Sequence, residues 1–310
     1  MDPRCYRVIQ GEVAVSIEIT KHPFDLICFT GSTEKGRLVA KAAADNLIPC
    51  ILELGGKCPF IVDEGCDVDH AAFKAIQAKF QNASQTCITV DYILCHESLV
   101  NEFTERVKYH LKNMYGVDNN RPETWKYNPE VGKIIADFHI DRIERILKEV
   151  ESNPKTKIIT GGSSKIDRAN KFVCPTILRD PPLESTMMKE ENFAPILPIL
   201  SYVNFSEVIN KHILTKGKPL CIYYFGSGSS QNYKDILENT SSGNVTLNDI
   251  LFQTLSIEVG FGGVGESGCG RYGGYEGFRN WSNPKSVVEK VQFNFWPFTY
   301  MAPPWDNTKQ

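Results

Sequence analysis

Phe24-Asp-Leu-Ile-Cys-Phe-Thr30, followed by the turn Gly31-Ser-Thr33, an Ala-rich run from Glu34 to Asp45 and then Ile48-Pro-Cys-Ile-Leu-Glu53, decides the fold. The first run is apolar and of strand length, the glycine turn opens a helix over 34–45, and the third run is a second strand stopped by Gly55-Gly56. Strand, turn, helix and strand in that order make one βαβ unit of a parallel sheet.

Outward from that unit the pattern repeats. A short strand is expected at Phe60–Val62, a helix at Val68–Lys79 and a strongly apolar strand at Thr86–Cys95. Glu97–Met114 reads as an amphipathic helix, with Val100, Phe103, Val107 and Leu111 spaced by three and four. Gly116–Asn128 is polar, holds Pro122 and reads as a loop; Phe138–Val150 is a helix that buries Ile143, Ile146, Leu147 and Val150. Further strands are predicted at Lys157–Thr160, Phe172–Leu178, Ile196–Tyr202, Leu220–Phe225 and Gly243–Leu247, with helices at Phe205–Thr215 and Gln231–Asn239. Alternation to about residue 250 makes the chain α/β throughout.

Composition narrows the function classes. A length of 310 residues allows two domains and a large core, and a formal net charge of −3 with acids and bases intermixed points to neither nucleic acid nor an anionic membrane as partner. The ten cysteines contain no C-x-x-C, and the start MDPRCYRVIQ has no apolar signal core, so a reducing cytoplasm is expected. No apolar run approaches the ~20 residues that span a bilayer. The aromatic tail Val291–Trp305 is expected to pack on its own protein, with another subunit or a membrane surface as the alternatives.

Gly31-Ser-Thr-Glu-Lys-Gly36 has phosphate-loop spacing but continues as Arg37-Leu38, so a nucleotide triphosphatase is excluded. An anion site at a helix N-terminus and an ordinary helix start both remain open. Gly263-Val-Gly265-Glu-Ser-Gly268 matches G-x-G-x-x-G but has no βαβ unit around it; a tightly turned or flexible loop is expected. Cys28, Cys50, Cys95 and Cys221 sit in apolar runs and read as core. Cys87 differs, because the polar Asn82-Ala-Ser-Gln-Thr86 precedes it at a helix-to-strand junction; it is a nucleophile or an inert thiol. Glu53, between Leu52 and Leu54, is a desolvated general base or a bonded strand-end acid. The six His residues show no metal-ligand spacing, so no metal is expected.

Taken together, five ordered segments resemble signatures of the aldehyde dehydrogenase superfamily. They are Phe29-Thr-Gly-Ser-Thr33, Leu52-Glu-Leu-Gly-Gly-Lys57, Asn82-Ala-Ser-Gln-Thr-Cys-Ile88, Glu190-Glu-Asn-Phe-Ala-Pro195 and Phe261-Gly-Gly-Val-Gly-Glu-Ser-Gly268. The resemblance runs from about Tyr6 to Val287. Val90-Asp-Tyr92, Ile196-Leu-Pro-Ile199 and the late Pro-Pro are similar to the class 3 and fatty aldehyde branch, which implies medium- or long-chain and aromatic aldehydes. The implied fold is α/β, with part of a Rossmann-type nucleotide-binding domain over 1–56, an α/β catalytic domain with a parallel sheet over 57–280, and a C-terminal tail over 281–310 available for oligomer contact. The implied chemistry is NAD- or NADP-dependent oxidation of an aldehyde to an acid. Cys87 is the nucleophile that forms a thioester and Glu53 activates the hydrolytic water. The Cys87 N–H and Asn82 hold the oxyanion or position the nucleophile. Gly31 and Ser32 meet the cofactor pyrophosphate, Glu191 holds the nicotinamide-side ribose with Phe193 beside it, and Lys57 is structural. A homodimer, or association with a full-length subunit, is the implied assembly.

The departures are of two kinds. The resemblance implies a long preceding segment with the first strands of the nucleotide-binding sheet, a Lys for the adenosine ribose and the Asn amide that completes the oxyanion hole. A catalytically impaired fragment or pseudoenzyme acting through full-length subunits is therefore the alternative to an active enzyme. Within motifs, Ser84 and Ala194 stand where the family usually has Gly, and Gly260 where it has Pro. Strain is expected wherever the replaced Gly had φ > 0.

Overall fold

The computed structural model describes residues 2, 4–117, 128 and 130–289. In chain order the elements begin with α1 (Val13–Ile19), β1 (Ile27–Gly31), α2 (Thr33–Ala44) and β2 (Cys50–Leu54). β3 (Pro59–Val62), α3 (Val68–Phe80), β4 (Tyr92–His96), α4 (Val100–Tyr115) and α5 (Asp137–Glu151) follow. Then come β5 (Lys157–Thr160), β6 (Ile166–Asp167), β7 (Phe172–Val173), β8 (Thr176–Arg179), α6 (Thr186–Lys189), β9 (Ile196–Tyr202) and α7 (Phe205–Glu207). β10 (Cys221–Phe225), α8 (Gln231–Asn239), β11 (Asn244–Leu247), β12 (Gly268–Cys269) and α9 (Gly274–Asn280) complete the described chain. Side-chain oxygens of Ser32, Asp67 and Ser230 accept from the first-turn N–H groups of α2, α3 and α8, which fixes where those helices begin.

Two sheets carry the fold. β1 and β2 pair in parallel, Thr30 beside Glu53, with α2 as the crossover, and β12 adds antiparallel to the other edge of β2. The larger sheet has the order β11-β10-β3-β4-β9-β8-β5; its first six strands are parallel and β5 closes it antiparallel to β8. A third, two-stranded ribbon joins β6 to β7. Alternation along the large sheet divides the core into two layers. Phe60, Val62, Tyr223 and Phe225 face Ala75, Phe103, Val107 and Leu111 of α3 and α4. Ile61, Leu94, Ile222 and Tyr224 face Ile140, Ile143 and Leu147 of α5.

The α/β reading of the chain holds, with four local corrections. Thr86–Cys95 is not one strand: a turn closes Thr89 N–H onto Thr86 C=O at 3.0 Å, and ladder pairing starts at Tyr92. Apolar residues there are buried in a loop rather than a sheet. Phe172–Leu178 is cut at Pro175, which has no N–H to donate, so its two ends pair in different sheets. The helix expected over Phe205–Thr215 widens to π geometry over Val208–Ile213. Cys95 and Cys221 are core, but Cys28 is exposed and Cys50 half-buried. β1 lies at a sheet edge and β2 begins beside it, so their outer positions are uncovered among the described residues. The loop expected at 116–128 and the tail from 290 onward lie largely or wholly outside the described residues.

One buried ion pair positions the segments between the strands. Lys57, just before β3, has its ammonium against the Asp91 carboxylate, just before β4. The same Nζ donates to Met187 C=O at 2.8 Å and Glu190 C=O at 2.7 Å, while Asp91 accepts the Asn192 N–H at 2.8 Å. Every charge is met by hydrogen bonds, which is what makes such a pair tolerable away from water. Replacing Asp91 by Ala leaves a buried ammonium uncompensated, and we expect a loss of about 3–5 kcal/mol of stability. The denaturant midpoint of D91A against the parent chain measures it.

Candidate active site

The site lies where the two sheets meet end to end. Gly31, Ser32 and Glu53 are at the carboxyl ends of β1 and β2, whereas Lys57, Cys87, Glu191 and Cys221 are at or before the amino ends of β3, β4, β9 and β10. Short connections join the two sheets there, and the segment 260–274 returns to the edge of β2.

Glu53 is buried, at 3% exposed, and neither carboxylate oxygen has a hydrogen-bond partner among the described residues. Burial pushes its carboxyl up to about 8, against a smaller opposing pull from the Arg271 guanidinium. That guanidinium is held by Gly260 C=O and Gly243 C=O, both at 3.1 Å. Opposite Glu53 stands Gly268, with φ +142°. A Cβ there would lie 2.0 Å from Leu52 C=O, so only glycine permits β12 to close on β2.

Cys87 is half-buried and packs against the α3–α4 layer of the core. Burial is the main cause that pushes its thiol up to about 11; the charges of Cys221, Glu191 and Glu53 add to it. Glu53 and Cys87 are thus close enough to feel each other's charge. The approach to Cys87 is a run of three left-handed residues, Asn82 (φ +53°), Ala83 (φ +50°) and Ser84 (φ +64°). Each costs a non-glycine residue about 1–3 kcal/mol. The strain expected from Ser84 is therefore present, and Ser84 is buried with its hydroxyl 3.4 Å from that of Thr89. Ala194 is different: the left-handed residue of that motif is Phe193 (φ +43°), and Gly260 is not left-handed either.

The remaining expected residues are placed as follows. Asn82 is exposed and one N–H of its amide donates to Gln85 C=O at 3.0 Å. The Glu191 carboxylate is turned onto the Gly55–Gly56 backbone; burial, followed by the Asp91 charge, raises it to about 7, and the Gly56 N–H opposes that rise. A Cβ on Gly55 would sit 2.1 Å from Glu191 Oε2, so Gly55 makes the room. Phe193 is half-buried, and Gly31 and Ser32 are exposed at the start of α2. Ser32 caps Lys35 N–H, and the first turn of any helix leaves further N–H donors free for an anion.

Sequence reading missed Asp91, Arg271 and Tyr272. Asp91 carries the ion pair; the Tyr272 hydroxyl is raised by burial and then by the charges of Glu53, Cys87 and Cys28. The glycines from Gly260 to Gly274 were the available signal. They are tightly turned, with Gly265, Gly268, Gly270, Gly273 and Gly274 all left-handed in φ, and they aim these two side chains. Among the described residues no cluster of His, Cys, Asp or Glu is placed to hold a metal ion.

A model of the aldehyde dehydrogenase family matches residues 1–287. The chain belongs to the aldehyde dehydrogenase family. It is 38% identical to the dimeric NADP-preferring aldehyde dehydrogenase of Rattus norvegicus over 95% of this chain and 61% of that protein. It is 39% identical to aldehyde dehydrogenase family 3 member A2 of Mus musculus over 94% of this chain and 57% of that one. Among solved structures, a substrate-bound Staphylococcus aureus AldH superposes with a TM-score of 0.84 at 33% identity, over 96% of this chain and 61% of that one. The chain thus spans about three-fifths of the length of the family members it matches. No helix among its described residues is long and apolar enough to cross a membrane.

The raised Glu53 carboxyl has a thermodynamic consequence. Unfolded, the group ionises near its ordinary 4.5; folded, it holds its proton to about 8. Between those values the folded state binds more protons, so its stability falls as pH rises through the window and levels off above it. Glu53→Gln removes the titration. Melting temperatures from pH 4.5 to 8 should decline more steeply for the parent than for E53Q; parallel curves would show Glu53 ionising normally.

Proposed function

We propose that this chain oxidises aldehydes to carboxylic acids through a thioester on Cys87, with NAD or NADP as hydride acceptor. The observation that carries the reading is the unpaired, buried Glu53 carboxylate, raised to about 8, within electrostatic reach of the half-buried Cys87 thiol. A carboxyl with that proton affinity is suited to general-base work near neutral pH.

The residues fit a dinucleotide. The exposed Gly31-Ser32 turn at the amino end of α2 offers backbone donors to its phosphates, and Glu191 with Phe193 lies on the side of Cys87. When bound, the cofactor accepts the hydride that leaves the aldehyde carbon. Everything else falls to the chain. The Cys87 thiol, once its proton passes to Glu53, adds to the carbonyl carbon. The oxyanion takes the Cys87 N–H and the second N–H of the Asn82 amide, the first being held by Gln85. Loss of hydride leaves the thioester; Glu53, having passed the thiol proton to solvent, then draws a proton from water as it attacks and returns it to the departing Cys87 sulfur, releasing the acid and the Cys87 thiol.

We assign the substrate end to an exposed apolar stretch. Phe252, Leu255, Ile257 and Val259 are exposed on the segment that leads into Gly260–Gly274, and Tyr272 lies within reach of the charges of Glu53 and Cys87. Such a stretch suits a medium- or long-chain or aromatic aldehyde. All ten cysteines are free, which suits a reducing cytoplasm. The Rattus norvegicus relative is named as dimeric, and a homo-oligomer is the proposed assembly.

A second reading is a non-catalytic chain that acts by associating with full-length subunits. It is favoured by the outer edge of β1, unpaired among the described residues, and by the exposed Tyr275, Phe278 and Trp281 of α9 and its end. Cofactor reduction by the purified chain with a medium-chain aldehyde separates the two. Under the enzymatic reading, Cys87→Ala abolishes turnover, Glu53→Gln lowers it about 10²–10⁴-fold, and the parent rate rises with pH through about 8 as Glu53 ionises. A folded chain that reduces no cofactor would establish the second reading.

A further inference from the structure

Three thiols, not one, meet at the site. Cys58 Sγ lies 3.6 Å from the Cys87 carbonyl oxygen. Cys58 and Cys221 are neighbours by the β3–β10 register, each two residues before the Phe60–Tyr223 pair. Cys221 and Tyr223 share one face of β10 because side chains alternate along a strand. That face is turned to the nucleophile segment: the Tyr223 hydroxyl donates to Ile88 C=O at 2.7 Å. The Gln253 amide ties the two side chains together, donating to Cys221 Sγ at 3.0 Å and bonding the Tyr223 hydroxyl at 3.1 Å. The Gln253 amide thus holds the Cys221 sulfur while the Cys58 thiol donates to the Cys87 carbonyl, and Cys58, Cys87 and Cys221 pack into the same core layer. Cys58 and Cys221 are both 0% exposed, whereas Cys87 is half-buried, so a small solute meets Cys87 first.

We propose that Cys87 and Cys221 form a reversible disulfide when the chain meets a peroxide, with Cys58 holding the Cys87 backbone beside them. The Cys87 thiolate attacks one peroxide oxygen; the O–O bond breaks, hydroxide leaves and Cys87 becomes a sulfenic acid. The Cys221 sulfur then attacks the Cys87 sulfur. The S–O bond breaks, and the departing hydroxyl takes the Cys221 proton as water. Two thiols are oxidised by two electrons, and one peroxide is reduced to two waters. A dithiol reductant reverses the bond, whereas a Cys87 with no resolving partner goes on to irreversible sulfinic acid. The nucleophile is thereby stored rather than destroyed. Aldehyde turnover is not required, and the readout is a mass, so a failure here is distinct from a failure of the proposed activity.

The whole purified chain is treated with hydrogen peroxide at about pH 9, where the thiolate fraction of a high-pKa thiol is larger. Free thiols are then alkylated and the unreduced peptides mapped by mass spectrometry. The expected product is the Cys87 peptide joined to the Cys221 peptide, two hydrogens lighter than their sum and released by dithiothreitol. Cys221→Ala should lose the cross-link and accumulate Cys87 sulfinic acid; Cys221→Ser, closer in size, should do the same and guards against a packing defect. Cys58→Ala should slow the cross-link without abolishing it. Three results would each overturn the proposal: a cross-link to Cys58 instead, sulfinic acid forming as readily in the parent as in C221A, and a Cys87 that stays unreacted in the folded chain.

Discussion

The Lys57–Asp91 pair is the constraint on which the rest of the site depends. Its ammonium and carboxylate lie away from water, and together they gather the ends of three separate chain segments: the start of β3, the start of β4 and the Glu190–Asn192 stretch ahead of β9. Coulombic attraction alone does not repay the desolvation of two charges. The surrounding carbonyls and N–H groups do so by leaving no valence unused. The ion pair fixes geometry more than it adds stability, and the segments it fixes are those that carry Cys87 and Glu191.

Around that knot the fold divides its labour. The large sheet is buried on both faces and supplies rigidity, while its amino ends carry the reactive groups. The small sheet contributes its carboxyl ends, which carry the start of α2 and a buried acid. Low solvation serves both reacting groups. It keeps Glu53 protonated to about 8 and the Cys87 thiol to about 11, so both are uncharged near neutral pH and Glu53 must ionise first to serve as a base. The strained run Asn82–Ser84 is the local cost of presenting Cys87 at the end of a helix instead of within a strand.

Much of this was legible in the residues. Strand and helix alternation, the β1–α2–β2 unit and the amphipathic face of α4 were written in periodicities that burial confirms, and Glu53 announced itself as an acid in an apolar strand. What escaped had physical reasons. Residues 86–90 are apolar because a loop is buried there, and hydrophobicity alone does not separate that from a strand. Cys28 lies in an apolar run but on the edge strand β1, and Cys50 opens β2 ahead of the two residues that β12 covers. Asp91, Arg271 and Tyr272 are ordinary side chains in sequence; only the turn chemistry of the glycine-rich segment brings the last two back to Glu53. Cys221 looked like core and is core, and its neighbourhood with Cys87 comes from strand register, which no local pattern encodes.

The two-residue strand β12 bears on how the molecule is made. Leu52 and Glu53 receive their second neighbours from Gly268 and Cys269, near the other end of the described chain. Every strand of the large sheet is encoded between them, so on the ribosome β2 emerges early and waits for its partner until almost all else is translated. Closing so long a loop is entropically slow and favours a late step, after the large sheet has condensed and shortened the effective distance. The acid at the centre of the site is thus sealed last. Until then β2 presents an open edge, and a nascent or partly unfolded chain is exposed there to strand exchange with its neighbours.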